Sequence, residues 1–411
     1  MKCRHCGRVL KHVFIDLGCA PPSNSYLKKD DLHNPEVYFP LRVFVCNKCW
    51  LVQTEDFAAA NQLFRSDYAY FSSVSSSWLR HAALYAEDIT KKLSLDRSSF
   101  VIEIASNDGY LLRNFVERGI PCLGIEPASD TARAAERLGI PVVQKFFGSG
   151  LAQELAAEGR MADLLVGNNV LAHVPDINDF VKGLKVVLKP AGSITMEFPH
   201  LLELIRHMQF DTIYHEHFSY LSLGTVRRIF EKSGLRVFHV ESLSTHGGSL
   251  RIYACHENDG RRESPSVQAL LEEEKRFGLW GIDVYKNFQE KAESIKNKFV
   301  MYLIEQKRLK RSVAAYGAAA KGNTLLNYSG IRSDLLPYVC DGAPSKQGKF
   351  LPGSRIPIVS PEKLRERKPQ TVIVFPWNIV DEVVQRHCYV GEWGGRFVTV
   401  VPELKRIEPL Q

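Results

Sequence analysis

A chain of 411 residues has room for two to four domains of about 100–200 residues each, and 45% hydrophobic content is ample for packed cores. No apolar run reaches the ~18 residues that a membrane span needs, and Met1-Lys2-Cys3-Arg4-His5-Cys6 is too polar for a signal peptide, so a soluble, cytoplasmic protein without a membrane partner is expected. The formal charge of +7 is spread along the chain and suits an anionic small molecule about as well as nucleic acid.

Nine cysteines is an odd count, and four stand in C-x-x-C pairs, which points to metal and free thiols rather than disulfides. Cys3, Cys6, Cys46 and Cys49 place two thiolates on each of two tight turns, and two such turns close a tetrahedron around Zn²⁺. Four sulfurs leave no open position, so the metal is expected to be structural. His5 and His12 are the competing ligands. Val13-Phe14-Ile15 and Leu41 to Val45 read as strands of a zinc ribbon. Asp67 to Ser77 is aromatic and then rich in hydroxyls. It reads either as a loop ending in a serine helix cap ahead of Trp78 or as a lid carrying a phenol to a site.

Phe100 to Ala105 is an apolar, β-branched strand, broken by Ser106-Asn107-Asp108-Gly109 and followed by a helical pattern from Tyr110. A second strand, Cys122 to Ile125, ends on Glu126. Strand, small-residue turn, helix, strand and acid make half of a doubly wound sheet. The turn lets a ligand approach backbone N–H groups, and Glu126 is placed to accept from ribose hydroxyls. There is no G-x-G-x-x-G, and Glu103 on the first strand suits a cation better than a pyrophosphate. Met161 to Val166 and Gly192 to Phe198 are further strands. Asn168 and Asn169, and beyond them His173, follow the first of these at the carboxyl end, where polar side chains face the ligand crevice. His173 is either solvated there or functional.

Asp211-Thr212-Ile213-Tyr214-His215-Glu216-His217-Phe218-Ser219-Tyr220 packs two histidines, carboxylates and two phenols into ten positions, which is costly to bury unless they are paired. The spacing is not the H-E-x-x-H of a metal helix. An acid–base cluster fits better: an imidazole, a carboxylate to orient it and a phenol to meet oxyanion charge. His246 lies in a turn, Ser244 to Ser249, that leads into the strand Arg251 to Ala254. From Val267 to Arg311 the chain is charged and helical and reads as a solvated connector. Strands at Ser312–Tyr316, Pro337–Cys340 and Thr371–Phe375 form a second doubly wound unit. Its turn, Gly317 to Asn323, either receives a phosphate with Lys321 or serves packing alone.

The first-strand turn resembles the adenosylmethionine site of class I methyltransferases, with Ala105 where that family usually has glycine. The whole chain resembles the sugar C-methyltransferases that act on nucleotide-linked 4-keto-deoxysugars. The resemblance is carried by the cysteine pairs, Leu17-Gly18-Cys19-Ala20-Pro21-Pro22-Ser23-Asn24, Glu197-Phe198-Pro199-His200, Tyr214-His215-Glu216-His217 and Gly322-Asn323-Thr324-Leu325-Leu326-Asn327. It implies an α/β fold in four parts: a zinc-binding domain (1–66), a Rossmann-like methyltransferase domain (67–257), a helical connector (258–311) and a second Rossmann-like, substrate-binding domain (312–411). It implies S-adenosylmethionine and structural Zn²⁺ as cofactors. The expected cofactor residues are Glu103, Ala105, Asn107, Gly109, Glu126, Asn168 and Asn169.

The resemblance also implies that His217 is the base, with Tyr214 and Glu216 beside it and Tyr68 and His173 reaching the same pocket; Tyr70 competes with Tyr68. Lys321, Asn323 and His246 are the expected substrate contacts. The expected reaction is methylation at C3 of a dTDP- or GDP-linked 4-keto-6-deoxyhexose through an enolate, on a monomer or weak oligomer. The competing readings are an O- or N-methyltransferase for a small molecule, a nucleic-acid methyltransferase and a binding protein that has lost activity. A nucleic-acid partner is disfavoured because the aromatics are not interleaved with a basic stripe.

Overall fold

The computed structural model describes residues 1–57 and 71–407, which form three sheets. The first sheet joins β1 (His12–Ala20), β2 (Phe39–Val45) and β3 (Val52–Thr54), all antiparallel, to the two-residue β9 (Ser219–Tyr220) from the middle of the chain. The two cysteine pairs sit on turns at one end of this sheet. The strands expected at 13–15 and 41–45 are present and longer than the apolar runs. β9 is a fourth strand supplied by the acid–base segment itself.

The second sheet has seven strands in the order β10-β11-β8-β7-β4-β5-β6. β4 (Val101–Ile104), β5 (Cys122–Ile125), β7 (Ala162–Asn168) and β8 (Leu188–Pro199) match the strands read from the sequence. β4 lies between β5 and β7, both parallel to it, so the order reverses beside it. β6 (Val142–Val143) and β10 (Leu235–Leu243) were not anticipated, the first because two residues carry no pattern. β11 (Ser249–His256) runs antiparallel to both β8 and β10. The helical pattern expected from Tyr110 condenses to one turn of helix, Arg113–Val116, because hydrogen-bonded turns occupy residues 106–112. The serine cap is present: Ser75 accepts from the Trp78 N–H at the head of the helix Ser76–Leu93.

The third sheet, β14-β13-β12-β15-β16-β17, in which β14 is Ile358–Val359, β16 is Arg396–Thr399 and β17 is Lys405–Ile407, is parallel except for its last strand. β12 (Val313–Tyr316), β13 (Val339–Cys340) and β15 (Thr371–Val374) correspond to the three strands of the expected second unit.

The reading of 267–311 as a solvated connector is corrected. The helix Phe288–Arg308 buries Phe288, Ala292, Ile295, Phe299 and Leu303 at spacings of three and four, the stripe of a helix with one packed face. Phe288 stacks on Phe14 of β1, with ring centroids 4.4 Å apart. The preceding helix, Pro265–Phe277, buries Glu274, which accepts from the N–H groups of Leu223 (2.5 Å) and Gly224 (2.9 Å) and pairs with His200 Nε2 (2.9 Å). Charge on the outer faces of both helices concealed these contacts.

Candidate functional site

The four cysteine sulfurs lie within 4.8 Å of one another, with Cys3–Cys49 and Cys6–Cys46 contacts of 3.5 Å. Four sulfurs at about 2.3 Å from one ion would stand about 3.8 Å apart, so the cluster fits a tetrahedral Zn²⁺. His5 is not among the ligands: its Nδ1 lies 2.8 Å from Asn178 Oδ1.

At the carboxyl ends of β4 and β5 the backbone turns sharply. Ala105 (φ 58°), Asn107 (φ 50°) and Gly109 (φ 79°) take the left-handed conformation at alternate positions, and Asn169, after β7, does the same (φ 53°). Only glycine adopts this region freely, so three non-glycine residues there concentrate strain at one place. Glu126 accepts from the Asn107 N–H (3.0 Å) and from the Ala128 N–H (2.9 Å), which fixes its carboxylate across the turn. Burial raises its pKa while these N–H groups pull it down.

Among the described residues, Ser106 Oγ, Asp108 Oδ1, Asn168 Nδ2 and Asn169 Oδ1 are buried without a hydrogen-bond partner. Orphaned polar atoms of this kind mark a place that a polar ligand completes. The donor set of this crevice fits adenosylmethionine: the acid at the tip of the second strand for ribose hydroxyls, and carboxylates for a cation. Glu103 is fully buried on the strand below the turn, its carboxyl driven well above the ordinary range by burial and by Asp108, with Tyr110 opposing.

The acid–base segment crosses between this crevice and the third sheet. His217 Nδ1 lies 2.9 Å from the Thr212 carbonyl, which accepts only from a protonated nitrogen and therefore leaves Nε2 without a proton in the neutral ring. Burial, His173, His246 and Lys321 together hold the His217 imidazole well below its usual pKa. Tyr214 lies against the ring at 4.0 Å and His173 at 4.6 Å, between centroids. His173 Nδ1 is 2.8 Å from the Glu216 carbonyl, and burial lowers its pKa to about 4, so its Nε2 is an acceptor and not a donor. Glu216 is buried, its pKa raised by burial, and its Oε1 accepts from the N–H (3.3 Å) and the side-chain amide (3.1 Å) of Asn24. His215 turns away to the carbonyls of Phe39 and Pro40 on β2.

From the third sheet, the order reversal beside β12 puts the turn after β12 next to the turn after β15. Lys321 Nζ donates to Asn378 Oδ1 (2.6 Å) and stands 4.3 Å over the Trp377 ring. Burial lowers the Lys321 pKa to about 8, with Asp211 opposing. Trp377 Nε1 donates to Asp211 Oδ2 (2.8 Å), while burial raises Asp211 to about 6. His246, also left-handed (φ 54°), sets its Nε2 3.0 Å from Asn169 Nδ2 and its ring 5.0 Å from Trp78. His246 thus touches the cofactor crevice through Asn169, and both it and His217 lie in the field of Lys321. Asn323 is buried beside the same segment: its Nδ2 donates to the Ser23 carbonyl (2.6 Å), next to the Asn24 that holds Glu216, and its Oδ1 has no partner among the described residues.

Tyr68, with its competitor Tyr70, lies outside the described residues. Asn24, Asp211, Trp78 and Trp377 join the site without having been singled out as candidates. Asn24 stood inside a segment marked by the family resemblance and Asp211 inside one marked by its composition, while the tryptophans carried no signal of their own.

Comparison with known proteins gives three matches to family models. A "putative zinc binding domain" matches residues 3–64, a "methyltransferase domain" matches 78–240 and a "C-methyltransferase C-terminal domain" matches 244–402. C-methyltransferase NovU of Streptomyces niveus is 33% identical over 402 residues, covering 98% of this chain and 96% of the relative. Among solved structures, the PH0226 protein of Pyrococcus horikoshii OT3 is 15% identical, covers 49% of this chain and all of its own, and has a TM-score of 0.38. Magnesium protoporphyrin IX methyltransferase of Synechocystis PCC 6803, solved with bound SAH, is 13% identical over 44% of this chain and 88% of its own, with a TM-score of 0.35.

Proposed function

Because the chain belongs to the C-methyltransferase family, whose members here join a zinc-binding domain to an adenosylmethionine-dependent methyltransferase domain, we propose that it methylates C3 of a dTDP- or GDP-linked 4-keto-6-deoxyhexose through an enolate. The observation that carries this reading is one buried imidazole, His217, packed against Tyr214 and His173 and lying in the field of His246 and Lys321. His246 is bonded to Asn169 after β7, and Lys321 stands over Trp377 after β15. An O- or N-methyl transfer needs a base but has little use for a buried cation and a phenol around it; a carbon nucleophile needs both, because enolate charge must be held before the carbon attacks. We also propose the division into residues 1–66, 67–257, 258–311 and 312–411, which the three sheets and the intervening helices support.

The cofactor, when bound, supplies an electrophilic methyl group. The rest falls to side chains of the chain. His217 Nε2, unprotonated because Nδ1–H is given to Thr212, takes the C3 proton beside the ketone. The Tyr214 hydroxyl and the Lys321 ammonium are the donors for the enolate oxygen, each worth about 2.7–4 kcal/mol if well aimed. His173 does not serve as that donor, since its only N–H is held by the Glu216 carbonyl; it packs on the His217 ring, which burial keeps neutral. Glu126 holds the cofactor's ribose, and the turn after β12 takes the anionic end of the substrate. Incubation with adenosylmethionine and a panel of dTDP- and GDP-linked 4-keto sugars, read by mass, tests the reading. A methylated product only from substrates with an intact ketone supports it, and equal methylation of the reduced sugars overturns it.

A further inference from the structure

We infer that the zinc-bearing sheet forms part of the catalytic apparatus, with Thr54 as the residue that positions the base. The inference rests on His217 being that base. β9 begins two residues after His217 and is the outer strand of the zinc sheet, pairing Gln53 with Ser219 and Val52 with Tyr220. Thr54, buried at the end of β3, makes both of its donors available to the catalytic segment. Its N–H donates to the Phe218 carbonyl (3.2 Å) and its hydroxyl donates to the His217 carbonyl (3.2 Å).

The same residues lead back to the metal knuckle in two steps. The Thr54 carbonyl accepts from the Arg4 guanidinium (2.9 Å), and Arg4 follows Cys3 in the chain. Gln53 accepts from the Arg4 N–H through Oε1 (2.9 Å) and brings Nε2 to 3.3 Å from Cys3 Sγ. Arg4 also donates to the Pro175 carbonyl (2.8 Å), and its guanidinium stands 5.4 Å over the Phe218 ring. From the opposite side, the Phe218 N–H donates to the Ala172 carbonyl (2.8 Å) in the loop after β7. The backbone of the base is therefore gripped between the knuckle and the cofactor sheet. A base misplaced by 1 Å forfeits about a hundredfold in rate, so such a grip has kinetic consequences. Among the described residues the ionisable groups around the His217 ring are His173, Tyr214, Tyr220, His246 and Lys321; none of these lies on β3, so a change at Thr54 acts through position and not charge.

The test compares Thr54→Val, which keeps the shape and removes the hydroxyl donor, with Thr54→Ser, which keeps the donor. T54V is expected to lower kcat about tenfold or more, with KM for both substrates within about twofold and zinc content unchanged, while T54S stays within about threefold of wild type. In T54V, but not T54S, hydrogen exchange quickens in the peptide 214–220, and the acid limb of the kcat/KM profile moves up toward the ordinary imidazole value as water reaches the ring. If T54V does not accumulate, Thr54→Ala replaces it in the same comparison. Wild-type kcat, exchange and pH profile in the variant lacking the hydroxyl would overturn the positioning role. His217→Asn run alongside separates the two claims: wild-type turnover there removes the base itself, whereas an inactive H217N beside an unaffected T54V removes only Thr54.

Discussion

At the scale of single residues, chemistry was legible where side chains of costly types crowd together in sequence, and silent where partners come from afar. The cysteine pairs and the run from Tyr214 to His217 declared themselves, because thiolates and imidazoles at close spacing have few structural uses. Asn24 and Trp377 did not, since each matters through a partner more than 150 positions away: Glu216 and Asp211 respectively. The donor state of His173 was also out of reach, being set by a backbone carbonyl. His217→Asn is expected to cost about 10²–10⁴ in kcat while leaving adenosylmethionine affinity unchanged, which a turnover assay with calorimetry will read. Glu126→Gln replaces a charged acceptor, worth about 1.5–3 kcal/mol, and is expected to weaken adenosylmethionine binding by about tenfold or more in the same calorimeter. The pH profile follows from two lowered pKa values. His217 stays neutral well below its ordinary value, so the acid limb of kcat/KM falls below about pH 6.5. Lys321 loses its proton as pH rises through about 8, so kcat falls above that pH as the enolate loses its charged donor. An acid limb at or above pH 6.5, or a kcat flat across pH 8, contradicts these assignments.

Among elements, the parallel strands were readable because they are short, apolar and β-branched, and each ends on a polar turn. β6 and β10 were missed: the first is too short to carry a pattern, and in the second a register shift between Val237 and His239 breaks the alternation of buried positions. The largest misreading was at 267–311, where charge frequency drowned a regular buried stripe. Phe288 decides between the two descriptions. On a solvated connector, Phe288→Ala shifts stability by no more than about 0.5 kcal/mol. Stacked on Phe14 and fully enclosed, it costs about 3–5 kcal/mol, which denaturant unfolding resolves. The same packing explains why the zinc sheet, the helix Phe288–Arg308 and the third sheet share one core.

Across the whole molecule, the proposed base, His217, belongs to no single sheet. Its ring packs on His173, beyond β7, and lies in the field of Lys321 from the third sheet, while its backbone is held to the zinc sheet by Thr54 just ahead of β9. The order of the three units along the chain could be read from the sequence, but this convergence could not, because β3 and β9 pair across more than 160 positions. Metal removal is accordingly expected to act at a distance. A strong thiol-competing chelator should release about one zinc per chain and abolish turnover, even though four sulfurs leave the ion no coordination site for substrate. Retention of full activity by the metal-free protein would separate the zinc sheet from the reaction. The most direct measurement is turnover of a nucleotide-linked 4-keto-6-deoxyhexose with adenosylmethionine in deuterated solvent, followed by mass and by the C3 proton signal. Transfer of one methyl group to carbon, with C3 exchange in the wild type and neither event in H217N, is the predicted result; methyl transfer to oxygen or nitrogen, or undiminished carbon methylation by H217N, contradicts it.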